Sequence, residues 1–226
     1  LKKYFYLLLT FALAPGSYVS AKADTILLAS YGTSAPNPGV ANTATTYDPS
    51  ISEVNNGSTA TFNISPGTTW HAPIGPSSWV SFNPGTGPTS NVVVPNGDYF
   101  YDTTLNVSAA DAGGVVTLTV MADDTLSVLL NGVQVLASAG PMGSGNSYAR
   151  CSDVVPNCLT PFTFSFSGLV AGENDITFDV KQVNLVDEGL DFSGSISSIP
   201  EPASLALFGT GLLGLVGISR RYVDAK

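Results

Sequence analysis

The chain has 226 residues, with 17 acidic against 8 basic side chains, one histidine and a formal net charge of −9. Residues 24–199 keep fifteen of the acids but only Arg150 and Lys181, a net charge of −13; such a segment repels phosphate backbones and anionic lipid, which excludes nucleic acid as a partner. Divalent cations and neutral glycans are the partners that this charge admits.

In chain order, Lys2 and Lys3 precede an apolar stretch over residues 4–13, Pro15 and Gly16 break it, and Ala21-Lys22-Ala23 offers a small-x-small cleavage site before Asp24. Residues 1–23 are therefore expected to be a signal peptide. The first residue is Leu1 instead of Met, which reads either as a non-standard start or as a few missing residues. Residues 24–197 form the expected domain, large enough for one substantial core.

From Asp24 onward strand patterns dominate and no helical period appears. A short apolar strand is expected over residues 26–31. In residues 59–64, Ala60, Phe62 and Ile64 share one face. Trp70, His71 and Trp79 follow among turn-forming Pro and Gly residues. Residues 98–108 read as a long strand, with Tyr99, Tyr101, Thr103, Leu105 and Val107 on one face and Phe100, Asp102, Thr104 and Asn106 on the other. Val116, Leu118 and Val120 alternate with Thr117, Thr119 and Met121. Leu126, Val128 and Leu130 run into Asn131-Gly132, and Val133 and Val135 run out, the pattern of a two-residue hairpin turn. Phe162, Phe164 and Phe166 alternate with small hydroxyl residues. Ile176, Phe178 and Val180, then Leu190, Phe192, Gly194 and Ile196, complete about ten strands, so the expected class is all-β, an antiparallel β-sandwich.

Within residues 97–181, the phrases Asp98-Tyr99-Phe100-Tyr101-Asp102, Ala122-Asp123-Asp124-Thr125-Leu126, Leu130-Asn131-Gly132-Val133 and Gly172-Glu173-Asn174-Asp175-Ile176 are similar to those of galactose-binding-like jelly rolls. That resemblance implies a jelly-roll-like passenger, in a family that includes carbohydrate-binding modules and purely architectural domains. Aromatic side chains at Trp70, Tyr99, Tyr101 and Tyr148 are the candidate glycan contacts, with Trp79 and Phe82 read as core.

No catalytic set assembles. His71 is alone, no Gly-x-Ser-x-Gly elbow is present, and Asp123 and Asp124, as neighbours on a strand, would point to opposite faces and are better explained by a turn. The expectation is a protein that is not an enzyme, with a secreted hydrolase as the weaker alternative. A structural calcium is a candidate cofactor, drawing on Asp102, Asp111, Asp123, Asp124, Asp175, Asp187, Glu188 and Asp191, although no contiguous calcium loop occurs; the alternative is a solvated acidic surface. Cys151 and Cys158, separated by six residues in a polar loop, are expected to form a disulfide in an exported protein, since two sulfurs without a nearby His make a poor metal site.

The last stretch carries Pro200, Glu201 and Pro202, then an uncharged apolar run over residues 203–218, then Arg220 and Arg221. Its 16 residues lie just under the roughly 17 to 25 of a transmembrane helix, and the arginines would stay cytoplasmic by the positive-inside rule. This order resembles the PEP-CTERM sorting domain of exosortase substrates, placed at residues 198–226. The resemblance implies export in a Gram-negative bacterium, a transient anchor in the inner membrane, and processing by exosortase. It also implies delivery to the cell surface or extracellular matrix in a setting of exopolysaccharide or biofilm. A carbohydrate-binding module, stabilised by calcium, is the alternative function.

Overall fold

The structure is a computed structural model, and it describes residues 25–31, 37–138, 161–183 and 185–197. The signal-peptide region, the Cys151 and Cys158 pair, Tyr148, the sorting motif and the apolar run 203–218 lie outside the described residues. Residues Ala23–Ile199 form one compact unit.

Two long strands build the centre, and their sequence explains why. In β6 (Gly97–Val107) and β11 (Gly172–Gln182) every second residue is buried, the period that lets one face of a sheet meet a core while the other stays wet. The two pair antiparallel over their full length. They are flanked by β3 (Thr46–Tyr47), β8 (Thr125–Leu130) and β9 (Val133–Leu136) in a five-stranded sheet of order β3-β6-β11-β8-β9. The β8–β9 hairpin turns on Asn131 and Gly132 with φ of 49° and 77°, as two consecutive positive φ values require in such a turn.

The second sheet has seven strands. β7 (Val115–Asp123) and β12 (Gly189–Ser197) pair antiparallel at its centre, and the order is β10-β7-β12-β5-β4-β2, with β10 (Phe162–Phe166), β5 (Val80–Ser81), β4 (Thr61–Asn63) and β2 (Ala41–Asn42). β1 (Thr25–Ala29) also pairs with β12. It occupies the edge of β12 along residues 193–197, and β5 takes the same edge at Leu190. Two strands thus share one edge end to end.

The sheets close on each other through their inward rows. Tyr99, Tyr101, Val128, Ile176 and Phe178 of one sheet pack with Val116, Leu118, Val120, Leu190, Phe192 and Ile196 of the other, and Phe178 stacks on Phe192 across the layers with ring centroids 4.3 Å apart. Each of these fully buried large side chains contributes about 1.5–3 kcal/mol. The expected antiparallel all-β class holds. Two local readings change. β2, β3 and β5 are only two residues long, too short for any period to show in sequence. In β4 the buried residues are Thr61 and Asn63, while Phe62 is only partly buried, because Asn63 is drawn into a polar seam with Asn42.

Candidate functional site

At one end of the sandwich, the stretch 82–96, the stretch leading into β12 and the corner from β7 to β8 come together. Backbone bonds from Val94 N–H to Val186 O and from Glu188 N–H to Thr86 O, at 3.1 Å each, join the first two. The corner is Asp123-Asp124, and Asp124 Oδ2 accepts the Val183 N–H at 2.6 Å. Asp123, Asp124, Asp187 and Glu188 are all buried. The turn expected at Asp123 and Asp124 is present, but the expected solvated acidic surface is not what holds here.

Glu188 is the most deeply placed, at 0% exposure. Ser81 Oγ donates to its Oε2 at 2.5 Å, and the Tyr101 hydroxyl lies 2.8 and 2.9 Å from its two oxygens. Burial pushes its pKa up to about 8, against a smaller downward pull from the Ser81 and Tyr101 hydrogen bonds. Burial, then the neighbouring Glu188, holds the Tyr101 phenol well above its usual range, and the same two causes raise Tyr99.

A second buried carboxylate closes the edge shared by β1 and β5. Ser30 Oγ bonds Ser78 O at 2.6 Å and Asp191 Oδ1 at 3.1 Å, and Asp191 Oδ2 accepts the Ile74 N–H at 2.9 Å. Asn42 Nδ2 donates to Ser30 O at 2.6 Å and Asn63 Oδ1 at 2.7 Å. Burial raises the Asp191 pKa to about 6, against the hydrogen bonds from the Ile74 N–H and Ser30 Oγ. Over this seam lie Trp70 and Trp79, with ring centroids 4.5 Å apart, packed with Ile64 and Met121. Trp79 Nε1 donates to His71 O at 2.9 Å.

The aromatic candidates therefore fall differently from the sequence reading. Tyr99 and Tyr101 are fully buried and Trp70 is 5% exposed, so none of the three presents a ring face to a sugar. Tyr47 stacks on Phe82 at 5.2 Å, Phe82 on Tyr99 at 5.4 Å, and Tyr101 lies 5.5 Å from Tyr47; the aromatic strand is core. Trp79 and Phe82 are buried as expected.

The eight candidate calcium ligands are dispersed. Asp111 accepts from Ser108 Oγ at 2.6 Å in the turn after β6. Asp102 accepts from Thr177 Oγ1 at 2.6 Å and Asp175 from Thr104 Oγ1 at 3.1 Å on the outer face of the five-stranded sheet. Asp191 sits in the seam, and the other four at the loop end. Among the described residues no three His, Cys, Asp or Glu side chains gather so as to hold a metal ion. Sequence reasoning had no signal for Ser30, Ser81, Asn42 and Asn63, since a partner across the fold is invisible in a local pattern. An apolar groove of about 440 Å³ runs between β1 and β6, lined by Leu27, Tyr31, Pro76, Thr103 and Leu105 among others. Its lining carries no carboxylate or imidazole.

Comparison with known proteins gives the following. No curated protein matches the sequence. Among solved structures the chain is similar to an exo-β-1,3-galactanase from Phanerochaete chrysosporium, at 22% identity and TM-score 0.26, over 46% of this chain and 22% of that one. It is also similar to family 35 carbohydrate-binding modules from Paenibacillus barcinonensis (12% identity, TM-score 0.35, 75% of this chain and 97% of that one) and Clostridium thermocellum (13%, 0.35, 76% and 98%). The chain thus spans about a fifth of the length of the galactanase. Residues 198–221 match the PEP-CTERM protein-sorting motif, with Pro200, Glu201 and Pro202 at one side of the apolar run and Arg220 and Arg221 at the other. The chain therefore carries a PEP-CTERM sorting motif following its β-sandwich.

Proposed function

We propose that this is an exported, non-enzymatic β-sandwich protein, jelly-roll-like in its passenger, which exosortase processes at the inner membrane and releases to the cell surface or extracellular matrix of a Gram-negative bacterium. The observation that carries the reading is the motif at residues 198–221. Its order is a rigid Pro-Glu-Pro lead-in, an apolar run and a basic stop, which suits a transient membrane anchor. A signal peptide at residues 1–23 would start the export, and a Cys151–Cys158 disulfide would form in the oxidising compartment.

The passenger is read as a non-enzyme because its described carboxylates serve the fold. Asp191 is buried and already bound by Ser30 Oγ and the Ile74 N–H, and Glu188 by Ser81 and Tyr101. Exopolysaccharide is the setting in which the protein would act. Fractionating cells with and without exosortase tests the sorting reading. With the protease, a shortened chain should appear outside the inner membrane; without it, the longer form should accumulate in the membrane. An identical size and location in both strains would sink the reading.

A further inference from the structure

We propose that the outer face of the seven-stranded sheet, over β10, β7 and β12, is a docking surface for a neutral polysaccharide chain. The pleat sends alternate residues outward, and short of Met121 and Asp191 seven of the eight on these three strands are hydroxyls, Val115 being the exception and the exposed Leu27 of β1 the apolar neighbour beside Ser195. Thr163 and Ser165 on β10, Thr117 and Thr119 on β7, and Ser193, Ser195 and Ser197 on β12 share this parity, opposite to the buried Val116, Leu118, Val120, Phe192 and Ile196. The strand register aligns them into rows: Thr163, Thr119 and Ser193 in one, Ser165, Thr117 and Ser195 in the next. Rows are about 7 Å apart and neighbours within a row about 4.8 Å. Thr163, Thr117, Ser165 and Ser197 are exposed, and Thr119, Ser193 and Ser195 partly so.

The hydroxyls are oriented. Thr117 and Ser165 share a hydrogen bond at 3.0 Å, and Thr119 and Thr163 one at 2.8 Å. Each hydroxyl has one donor and two acceptor positions, so a single cross-strand bond leaves capacity directed outward, the same chemistry that a sugar hydroxyl offers in return. The outer layer of residues 64–79 covers the far part of this sheet, over Met121 and Asp191, and reaches the edge of the hydroxyl rows where Gly75 lies against Ser193.

Charge says which polymer. The two acidic residues with the same outward parity, Asp123 and Asp191, are buried, so among the described residues no charged side chain stands on the exposed part of this face. The opposite outer face, on the five-stranded sheet, carries Asp98, Asp102, Glu173, Asp175 and Asp179 against Lys181 alone. A polyanion is repelled from that side and finds no cation on this one, whereas a neutral glycan meets hydroxyls without a charge to desolvate. With no ring to stack on, each sugar is held weakly, and binding accumulates along a chain.

The choice of partner rests on the exported-matrix reading, but the test does not. The full chain in detergent is run by native affinity electrophoresis in gels containing a neutral β-glucan, a neutral galactan or polyanionic alginate. Retardation by at least one neutral polymer and not by alginate is expected. The triple variant T117V/T119V/T163V keeps the shape and removes three hydroxyls, and S195D places a charge on the face. Each should weaken binding about tenfold or more, the worth of one or two net hydrogen bonds, while its melting curve stays close to that of the parent. If the triple variant does not fold, S195D decides. The proposal is overturned if the parent runs alike in every neutral gel, if alginate retards it most, or if the folded variants bind as it does. Failure here leaves the fractionation result standing, and failure of sorting in cells leaves the gel result untouched.

Discussion

Glu188 shows how a residue type acquires its meaning from its surroundings. In sequence it is one acid among many; in the fold it is a buried acid bound by Ser81 and Tyr101. Its pKa rises from 4.5 unfolded to about 8 folded, so the folded state prefers the protonated form. The stabilisation is fully present below the unfolded value and is lost as pH rises through about 8. Between pH 7 and 9, where Asp191 with its pKa of about 6 is largely ionised in both states, the melting temperature of the parent should fall, and Glu188→Gln should flatten that fall. Equal slopes in differential scanning calorimetry would refute the assignment. Ser30 bears comparable weight, since its hydroxyl bridges Ser78 and Asp191 where β1 meets β5. Ser30→Ala leaves buried polar atoms without their partner and should cost about 1–3 kcal/mol, read from urea unfolding; a loss under a few tenths would show that water replaces the hydroxyl.

At the scale of elements, long alternating runs were legible and short ones were not. The two faces read for residues 98–108 are the two faces of β6, with Tyr99, Tyr101, Thr103, Leu105 and Val107 buried, because eleven residues of period two leave one face to bury. The Asn131-Gly132 turn was readable because its backbone demands residues that tolerate positive φ. The two-residue strands were not, since they exist only where longer strands offer them an edge. Gly194 marks another such dependence. A Cβ there would stand 2.4 Å from Thr117 O and 3.0 Å from a Leu118 methyl, so β12 and β7 approach closely at this point. Gly194→Ala should destabilise the sandwich by about 1–3 kcal/mol through overpacking, measured as a lower unfolding midpoint, whereas Gly113→Ala, at φ 77° with open space around its Cβ position, should show only backbone strain of about 1 kcal/mol.

For the whole molecule, addressing and folding lie in separate parts of the chain. The sorting motif at residues 198–221 lies outside the compact unit Ala23–Ile199 apart from its first two residues. Replacing Pro200, Glu201 and Pro202 together by alanine should therefore leave the melting curve of the sandwich unchanged while the chain accumulates in the membrane fraction; a shifted melt would mean that the motif supports the fold. What the sequence by itself determined was the all-β class, the long strands, the hairpin and the sorting motif, because each is written in local order and period. Only the tertiary structure decided the roles of Trp70, Tyr99, Tyr101 and the acids. A ring or a carboxylate on a strand is given to core or solvent by what the opposite sheet and the covering layer place over it, and those neighbours are as much as 161 residues away, as Ser30 is from Asp191.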